Sequence, residues 1–308
     1  MSELKKFIEL SRVIGKKPDF VQGTGGNVSI KINKQKMLIK ASGWRLADIS
    51  ENQGLVAVDY NRIKNNGNFI FDSQKTLRPS METRFHAFLG KHVVHTHAVY
   101  ANIISCAVEG KKLWRKITEK HGISASWVDY QNPGTHLALG VKKAVKKFKN
   151  QYGKIPEAIL MQNHGLIVSG DNLNYVFNLH NKIQEVIKNY FNLKIKFPEI
   201  KSDYLKKIIK KSNNLIVNFS KDILFPDQAV FGSNIGKKIS INKKTSNIIY
   251  KVSQKEALAI KENLIAWTYI VDCAKDCGLT LNFISQKNID YINNMESEKY
   301  RKNLIKKN

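Results

Sequence analysis

The spacing of apolar residues predicts short strands and amphipathic helices in the first two thirds of the chain. Apolar side chains of residues 2–16 fall on one side of a helical wheel, which predicts an opening helix. Short apolar or alternating segments predict strands at residues 28–32, 37–41, 55–60, 69–71, 93–97, 158–162 and 166–169. Longer periodic segments predict helices at residues 98–106, 135–149 and 172–193. Since the order follows no strict βαβ repeat, we expect an α/β fold with a mixed, largely antiparallel sheet covered by helices.

Pro79 and Ser80 predict the start of one more helix. A serine side chain can accept a hydrogen bond from a backbone amide of the first turn, so Ser80 is the expected N-cap. Glu82 would then lie in the first turn, where the helix dipole favours an acid, and the helix would run to about Gly90.

A change of pattern at Phe197 and Pro198 indicates a boundary. Beyond it we expect a helix near residues 202–212, strands around 215–218, 229–231, 238–241 and 247–251, a helix at 254–276 and terminal helices. Leu264, Trp267 and Ile270 recur at helical spacing, and such an apolar face has to be buried. We therefore divide the chain into a domain of residues 1–195 and a C-terminal α+β extension, residues 196–308, that packs on it.

Composition places the chain among globular proteins. The hydrophobic fraction is 42%, and no stretch approaches the roughly 18 consecutive apolar residues of a membrane span. The first residues are amphipathic rather than an apolar signal core, and the three cysteines are an odd number without disulfide-framework spacing. We expect a cytoplasmic protein without a membrane partner.

The chain carries a strong positive charge. Its 51 Lys and Arg residues against 25 Asp and Glu residues give a net charge of +26, which is typical of proteins that bind polyanions. The lysines are spread over the whole length, however, and recur at helical spacing between apolar residues, as on a solvated helix face. We therefore predict no nucleic-acid partner, while a positive field favours anionic substrates such as sugar phosphates.

Histidines supply the candidate chemistry. Alternation in a strand puts His95 and His97 on one face, roughly 7 Å apart, where both imidazoles can reach one metal ion. Taken alone, this pair is explained equally well as half-buried polar residues. A third histidine, His164, lies at a strand-to-strand turn, and Glu82 supplies a carboxylate. Three imidazoles and a carboxylate suit zinc or a similar divalent ion. His86, four residues after Glu82, competes as a ligand, but we interpret it as a packing residue.

Two glycine-containing segments form a second set of candidate residues. Residues 23–27 and the pair Ser42-Gly43 can present backbone amides and polar side chains to an anion. A plain hairpin turn explains the same glycines equally well.

Together these motifs resemble the class II aldolase/adducin family, and in particular L-fuculose-phosphate aldolase-like members. The resemblance covers roughly residues 1–195, with the motifs in order and at similar intervals. It runs through Gly26-Asn27-Val28-Ser29, Ala41-Ser42-Gly43, Pro79-Ser80-Met81-Glu82, His95-Thr96-His97, Tyr130-Gln131-Asn132-Pro133-Gly134-Thr135 and Asn163-His164-Gly165-Leu166.

This resemblance implies a class II aldolase-like, three-layer αβα sandwich, assembled as a homotetramer with the active site at a subunit interface. It implies a divalent metal, foremost Zn²⁺ with Mn²⁺ or Co²⁺ as alternatives. The ligands that it implies are His95, His97, His164 and Glu82. Glu82 also matches the proton-transferring base, and Tyr130 matches a proton donor contributed by a neighbouring subunit. The positions that match the family's substrate- and phosphate-binding residues are Asn27, Ser29, Ser42, Gly43 and Ser80.

One position departs from the phosphate aldolases. Met81 stands where they carry a second serine, so one hydrogen bond to phosphate is lost and unphosphorylated substrates stay open. The Pro-Ser-Met-Glu-Thr form resembles instead the aldolase portion of rhamnose-utilisation aldolase/dehydrogenase proteins. Phe225-Pro226-Asp227-Gln228 and Glu298-Lys299-Tyr300-Arg301 carry the same resemblance in the C-terminal part.

The expected function is that of a metal-dependent aldolase, a lyase that cleaves a ketose, ketose phosphate or keto sugar acid through a metal-stabilised enediolate. An epimerase or a dehydratase of the same family is an alternative, since the same metal site supports both reactions. A non-catalytic, adducin-like binding module is a second alternative, against which the presence of all four candidate ligands argues.

Overall fold

A seven-stranded sheet forms the centre of the molecule in the computed structural model, which describes residues 1–65, 77–211 and 214–306. Its strands are β1 (Asn27–Lys31), β2 (Lys36–Lys40), β3 (Leu55–Asp59), β4 (His92–Thr96), β5 (Ala125–Val128), β6 (Ala158–Met161) and β7 (Gly165–Gly170). They lie in the order β3-β2-β1-β4-β7-β6-β5, and every pairing is antiparallel except the parallel pairing of β5 with β6. The predicted mixed, largely antiparallel sheet is confirmed, whereas the strand predicted at residues 69–71 lies outside the described residues.

Seven helices accompany these strands in the described residues up to Tyr190. They are α1 (Glu3–Gly15), α2 (Tyr60–Lys64), α3 (Thr83–His86), α4 (Val99–Ser105), α5 (Gly110–Lys120), α6 (Thr135–Tyr152) and α7 (Leu173–Tyr190). Serine and asparagine caps begin two of them, because Ser2 Oγ accepts from Lys5 N and Asn172 Oδ1 accepts from Tyr175 N. The sequence pattern did not predict α5 or β5.

The two faces of the sheet are covered by different helices. In β4, Val94 faces a large core shared with α1, α4 and α7, whereas Val93 faces a smaller core with Phe85 of α3 and the apolar side of α6. Alternation along a strand produces this division, and it puts both faces of the central strands in apolar surroundings. The result is the expected αβα sandwich, with His95 on the same face of β4 as Val93.

The remaining elements form an α+β extension. They are α8 (Tyr204–Lys211), α9 (Leu215–Lys221), α10 (Pro226–Gly232), α11 (Ile235–Lys238), β8 (Ile239–Asn242), β9 (Asn247–Tyr250), α12 (Gln254–Asp276), α13 (Gln286–Asn294) and α14 (Glu296–Lys306). Helix α12 packs against α4, where the rings of Tyr269 and Tyr100 meet edge to face with centroids 5.9 Å apart. Among the described residues, no helix has both the length and the apolar character needed to cross a membrane.

The helix predicted from Ser80 to Gly90 is wrong in its start and length. Helix α3 has only four residues, and Ser80 stays extended because its amide donates to the carbonyl of Lys40. The neighbouring Pro79 forms a bridge with Ala41, so pairing with the end of β2 outcompetes the helix.

The strands predicted at residues 215–218 and 229–231 are also wrong. Both segments lie in helices, α9 and α10. A short apolar run does not distinguish a buried helix from a strand, and here Pro226 at the first helical turn begins α10.

We predict that deleting the residues after Leu193 causes aggregation or a changed assembly. Burial of one large apolar side chain contributes about 1.5–3 kcal/mol, against a net domain stability of about 5–15 kcal/mol. Helix α12 alone contributes fully buried side chains to the large core, among them Ile260, Leu264, Ile265 and Ile270. Size-exclusion chromatography and binding of a hydrophobic dye measure the exposed surface. A truncated protein with the assembly and dye binding of the full chain would refute the proposed dependence of residues 1–195 on residues 196–308.

Candidate metal centre

The end of strand β4 carries the first two imidazoles. His95 and His97 lie on one face, as strand alternation predicts, and their Nε2 atoms are 3.1 Å apart. His95 Nδ1 donates to the carbonyl oxygen of Leu166, 3.0 Å away on the neighbouring strand β7. Because a carbonyl only accepts, the proton lies on Nδ1 and the lone pair of His95 Nε2 points away from the sheet.

The turn between β6 and β7 supplies the third imidazole. Asn163 adopts a left-handed conformation (φ 53°), which Asn tolerates better than most residues and which turns the chain sharply before His164. The turn lies against β4, where a Cβ at Gly165 would clash with the carbonyl oxygen of Thr96. Only glycine allows this approach, and the ring of His164 consequently lies 5.2 Å, centroid to centroid, from that of His95.

Glu82 lies among the three imidazoles. Its Oε1 is 2.7 Å from His164 Nε2, and its Oε2 is 3.4 Å from His95 Nε2. Asn27 Nδ2 donates to Oε2 over 2.6 Å and holds the carboxylate in this orientation. All of these groups are buried.

A chain of hydrogen bonds fixes Asn27 in turn. The ring of His86 contacts Asn27 Oδ1 through Nε2, while its Nδ1 lies 2.7 Å from Ser29 Oγ. Burial lowers the pKa of His86 to about 3, so this ring is neutral, donates through one nitrogen and accepts through the other. His86 therefore lies outside the cluster, as its interpretation as a packing residue implied, and it orients Asn27, a role that the sequence did not predict.

The geometry of the cluster fits a divalent ion. The donor atoms of Glu82, His95, His97 and His164 all lie within 4.8 Å of one another. His164 is buried and its Nε2 lies 2.7 Å from Glu82 Oε1, but neither ring nitrogen has a partner in hydrogen-bond geometry within the described ranges. A buried polar atom without a partner is costly, and a cation among these donors would satisfy it. Three nitrogens and one oxygen match the ligands that zinc and similar first-row ions take.

The protonation states also suit a cation. Burial by itself raises the pKa of Glu82, but the electrostatic attraction of the neighbouring imidazoles of His95 and His164 lowers it more, so the pKa lies well below its usual range. Burial is the main cause that lowers the pKa of His95 well below its usual value. An ionised carboxylate beside a neutral imidazole is the state in which these groups bind metal.

A small cavity of about 40 Å³ adjoins the cluster, and it contains most of the candidate substrate-binding residues. Asn27, Ser42, Gly43 and Ser80 line it, as do Glu82, His97 and His164. Ser29 does not line the cavity. It lies two residues after Asn27 on β1, and its side chain contacts His86 instead.

Tyr130 lies outside that cavity. Its hydroxyl donates to Asn132 Oδ1, 3.1 Å away, and its amide donates to Gln162. Burial raises the pKa of the Tyr130 hydroxyl above its ordinary value, so the phenol keeps its proton at neutral pH. Within one chain, the structure therefore does not bring Tyr130 to the other candidate residues.

Several cavity residues were not predicted from the sequence, namely Lys40, Asp227, Glu298 and Arg301, whereas Thr24 belongs to the predicted segment of residues 23–27. Lys40 interrupts the apolar run of β2, and its Nζ donates to the carbonyls of Thr24 and Trp44. Burial, with the nearby charge of Arg301, lowers the pKa of Lys40 to about 7. The available sequence signal was a lysine between the apolar residues 37–39 and Ala41. Asp227 and Arg301 stood in motifs that the sequence analysis noted without giving them a role.

Comparison with protein families assigns the first part of the chain. A model described as "Class II Aldolase and Adducin N-terminal domain" matches residues 5–191. This range includes all four members of the histidine and glutamate cluster, and it ends before the α+β extension.

Curated relatives are distant. An uncharacterized oxidoreductase of Bacillus subtilis, YuxG, is 28% identical over 220 residues, which are 64% of this chain and 31% of that protein. The chain thus matches about a third of the length of that relative. A methylthioribulose-1-phosphate dehydratase of Microcystis aeruginosa is 28% identical over 54% of this chain and 84% of its own. An L-fuculose phosphate aldolase of Methanococcus maripaludis is 26% identical over 62% of this chain and 99% of its own.

A solved structure shares the fold. The N-terminal class II aldolase domain of a conserved Thermoplasma acidophilum protein superposes with a TM-score of 0.51 at 25% identity. The superposition covers 61% of this chain and 93% of the other.

We predict that the purified protein carries near-stoichiometric divalent metal and that replacing His95 and His97 together by alanine abolishes it. Two of three imidazole donors are then gone, and a single imidazole with one carboxylate holds such ions weakly. Elemental analysis of protein prepared without chelator measures the content. His121→Ala, at the exposed end of α5, is the control and should keep the metal. Full metal content in the double variant would show that the ion binds elsewhere.

Proposed function

The chain belongs to the class II aldolase and adducin family, and on that basis we propose that it is a metal-dependent aldehyde-lyase that cleaves a ketose, ketose phosphate or keto sugar acid. The observation that carries the proposal is the position of Glu82, whose buried carboxylate touches two of three converging imidazoles. The same donors argue against a non-catalytic, adducin-like module, because such a module needs no buried cation-binding cluster. Zn²⁺ is the proposed ion, with Mn²⁺ or Co²⁺ as alternatives.

The proposed reaction is a retro-aldol cleavage. A divalent ion held by His95, His97 and His164 would supply positive charge that stabilises the enediolate oxygens of the substrate, and Glu82, a fourth ligand only while substrate is absent, would then be available as the base. Glu82 takes the proton of the substrate hydroxyl, whose oxygen becomes the aldehyde oxygen as the carbon–carbon bond breaks. The electron pair of that bond passes into the neighbouring carbonyl group, and a proton then returns to carbon. Asn27 holds Glu82 in place for its proton transfer through the 2.6 Å hydrogen bond.

The substrate is proposed to be a small anionic or polyhydroxylated sugar. Ser42, Ser80 and the backbone at Gly43 offer polar groups in the cavity, and Lys40 places a basic group beside them. The named functions of the Microcystis and Methanococcus relatives both involve a phosphorylated sugar. As it stands, the cavity has room for only a few water molecules, so binding a sugar requires some lining side chains to move.

A dehydratase is the second candidate, because a relative at 28% identity carries that name. Both reactions pass through an enediolate. Dehydration forms it by removing a proton from carbon and then expels a hydroxyl group, whereas the retro-aldol cleavage forms it as the carbon–carbon bond breaks and releases an aldehyde. Product analysis separates them.

Tyr130 is proposed to act in a neighbouring subunit of a homotetramer. Its position outside the cavity of its own chain is what that arrangement requires, and its raised pKa keeps the phenol protonated for donation.

We predict metal-dependent aldehyde release from at least one ketose phosphate or keto sugar acid, and a fall of about 10²-fold or more in turnover for Glu82→Gln. The amide cannot accept the hydroxyl proton, while the three imidazoles remain. A coupled alcohol dehydrogenase assay detects the aldehyde. Glu256→Gln, which changes a buried carboxylate paired with Lys238 away from the cavity, is the matched control. Turnover of Glu82→Gln equal to that of the control would remove Glu82 from the mechanism, and dehydration products alone would favour the second candidate.

We predict that Tyr130→Phe subunits and Glu82→Gln subunits, each inactive alone, regain partial activity when they are mixed and reassembled. Mixed sites then contain one intact Tyr130 and one intact Glu82 from different chains. Activity of the mixture against each parent measures the effect. A monomer by sedimentation that is active at the same dilution would contradict the shared site.

A further inference from the structure

The second nitrogen of His97 is bound by a residue from outside the family domain. Asp227, in the first turn of α10, lies with Oδ2 2.7 Å from His97 Nδ1. Both side chains are buried, and residue 227 lies beyond residues 5–191, the range that the family model matches.

Asp227 is itself held by Arg301 of α14, and Glu298 of the same helix holds Arg301. Arg301 Nη2 is 2.7 Å from the other carboxylate oxygen, Asp227 Oδ1. Arg301 Nε is 2.8 Å from Glu298 Oε2, so one guanidinium joins two buried carboxylates. A buried carboxylate is costly without a partner of opposite charge, and Arg301 compensates Asp227.

We infer that Asp227 is a positioning residue that fixes the tautomer and the ring orientation of His97, and that Arg301 and Glu298 fix Asp227. The inference rests on the proposed function and extends it, because it makes residues of the C-terminal part components of the metal centre.

The geometry of the imidazole explains the effect. An ionised carboxylate accepts the Nδ1 proton of His97, which leaves the lone pair on Nε2, the atom that faces His95 Nε2 at 3.1 Å. Without that acceptor, the proton can move to Nε2 and the ring can rotate. Asp227 is not a ligand in this arrangement, because its oxygen contacts the ring on the side away from the cluster. His95 uses a backbone carbonyl for the same purpose, so the two histidines are oriented by different groups.

The glycine-containing segment of residues 23–27 makes room for the contact between Asp227 and His97. A Cβ at Gly25 would clash with Asp227 Oδ2 and would lie 2.8 Å from His97 Nδ1. Gly25 therefore offers a second way to disturb the contact without changing either partner. Its backbone lies outside the left-handed region, so alanine there is a test of space rather than of strain.

The test compares Asp227→Asn with wild type in the full-length protein. Asparagine keeps the size but removes the charge, and we expect affinity for Zn²⁺ and Co²⁺, measured by competition with a chelator, to fall about 10–100-fold. Gly25→Ala should also lower the affinity for these ions, and it replaces Asp227→Asn as the test variant if Asp227→Asn does not fold. Asp222→Asn, five residues earlier and outside the cavity lining, and Gly236→Ala, whose added Cβ meets nothing within 4 Å, are the matched controls and should bind as wild type does.

A second readout separates positioning from simple structural support. In metal-free protein with ¹⁵N-labelled histidine, long-range ¹H–¹⁵N spectra report which ring nitrogen of His97 carries the proton. We expect Nδ1 in wild type and in the controls, and a shifted tautomer population in Asp227→Asn. The visible spectrum of the Co²⁺ form should change in the same variant, because coordination geometry sets its bands.

The outcomes distinguish this inference from the proposed function. Wild-type affinity, an unchanged cobalt spectrum and a retained Nδ1 proton in Asp227→Asn would overturn the positioning role, while the metal site itself would stand. If wild type binds none of Zn²⁺, Co²⁺ and Mn²⁺, the proposed function fails, and the tautomer of His97 in the metal-free protein still decides whether Asp227 positions the ring.

Discussion

One buried carboxylate is the constraint on which the arrangement of this protein depends. Glu82 is ionised and nearly buried at the wall of a small cavity, and it contacts imidazole nitrogens that have few other partners. Such a charge is costly unless an opposite charge or several hydrogen bonds stabilise it. Asn27 supplies one hydrogen bond, and the convergence of three imidazoles on the same point supplies a place for a cation. These groups meet because the strands, their order in the sheet and the turn at Asn163 bring the side chains together.

Residues of the C-terminal part hold two segments beside the cluster in place. Glu262 of α12 accepts from the amide of Gly23 and pairs with Arg45 at 2.6 Å. These two contacts hold the segment of residues 23–27. Asn163 Nδ2 donates to the carbonyls of Leu224 and Asn282, which holds the turn that presents His164. The C-terminal residues that line the cavity belong to α10 and α14, while α12 acts through the segment that it holds. We propose that residues 196–308 complete the site rather than add a separate one.

The sequence predicted the elements whose patterns are local. Alternation identified the strand with His95 and His97, and an uninterrupted periodic stretch placed the long helix at residues 254–276, the bounds that the structure gives α12. Local sequence patterns gave wrong predictions where contacts between distant residues determine the secondary structure. Ser80 pairs with the end of β2, and although its Oγ accepts from the amide of Glu82, α3 begins only at Thr83. The apolar runs in α9 and α10 looked like strands because helical periodicity needs a longer stretch to be recognised.

The same reasoning applies to the site. The cluster could be predicted because its members stand in motifs with characteristic spacing, although their roles as ligands stay predictions. Ser29 and Asn27 lie on the same face of β1. Strand alternation therefore does not show that Asn27 lines the cavity while Ser29 contacts His86. Asp227 contacts His97 across 130 positions of sequence, and no local pattern reports such a contact.

The most direct test of the central claim is anomalous diffraction at the zinc edge from crystals grown with Zn²⁺. The account predicts a single strong peak within bonding distance of the Nε2 atoms of His95, His97 and His164, about 2.0–2.1 Å from each nitrogen. Glu82 should lie within reach of the same peak, and Asp227 should stay on Nδ1 of His97. A zinc ion bound by other residues, with this cluster left in hydrogen-bonded contact and free of the ion, would contradict it.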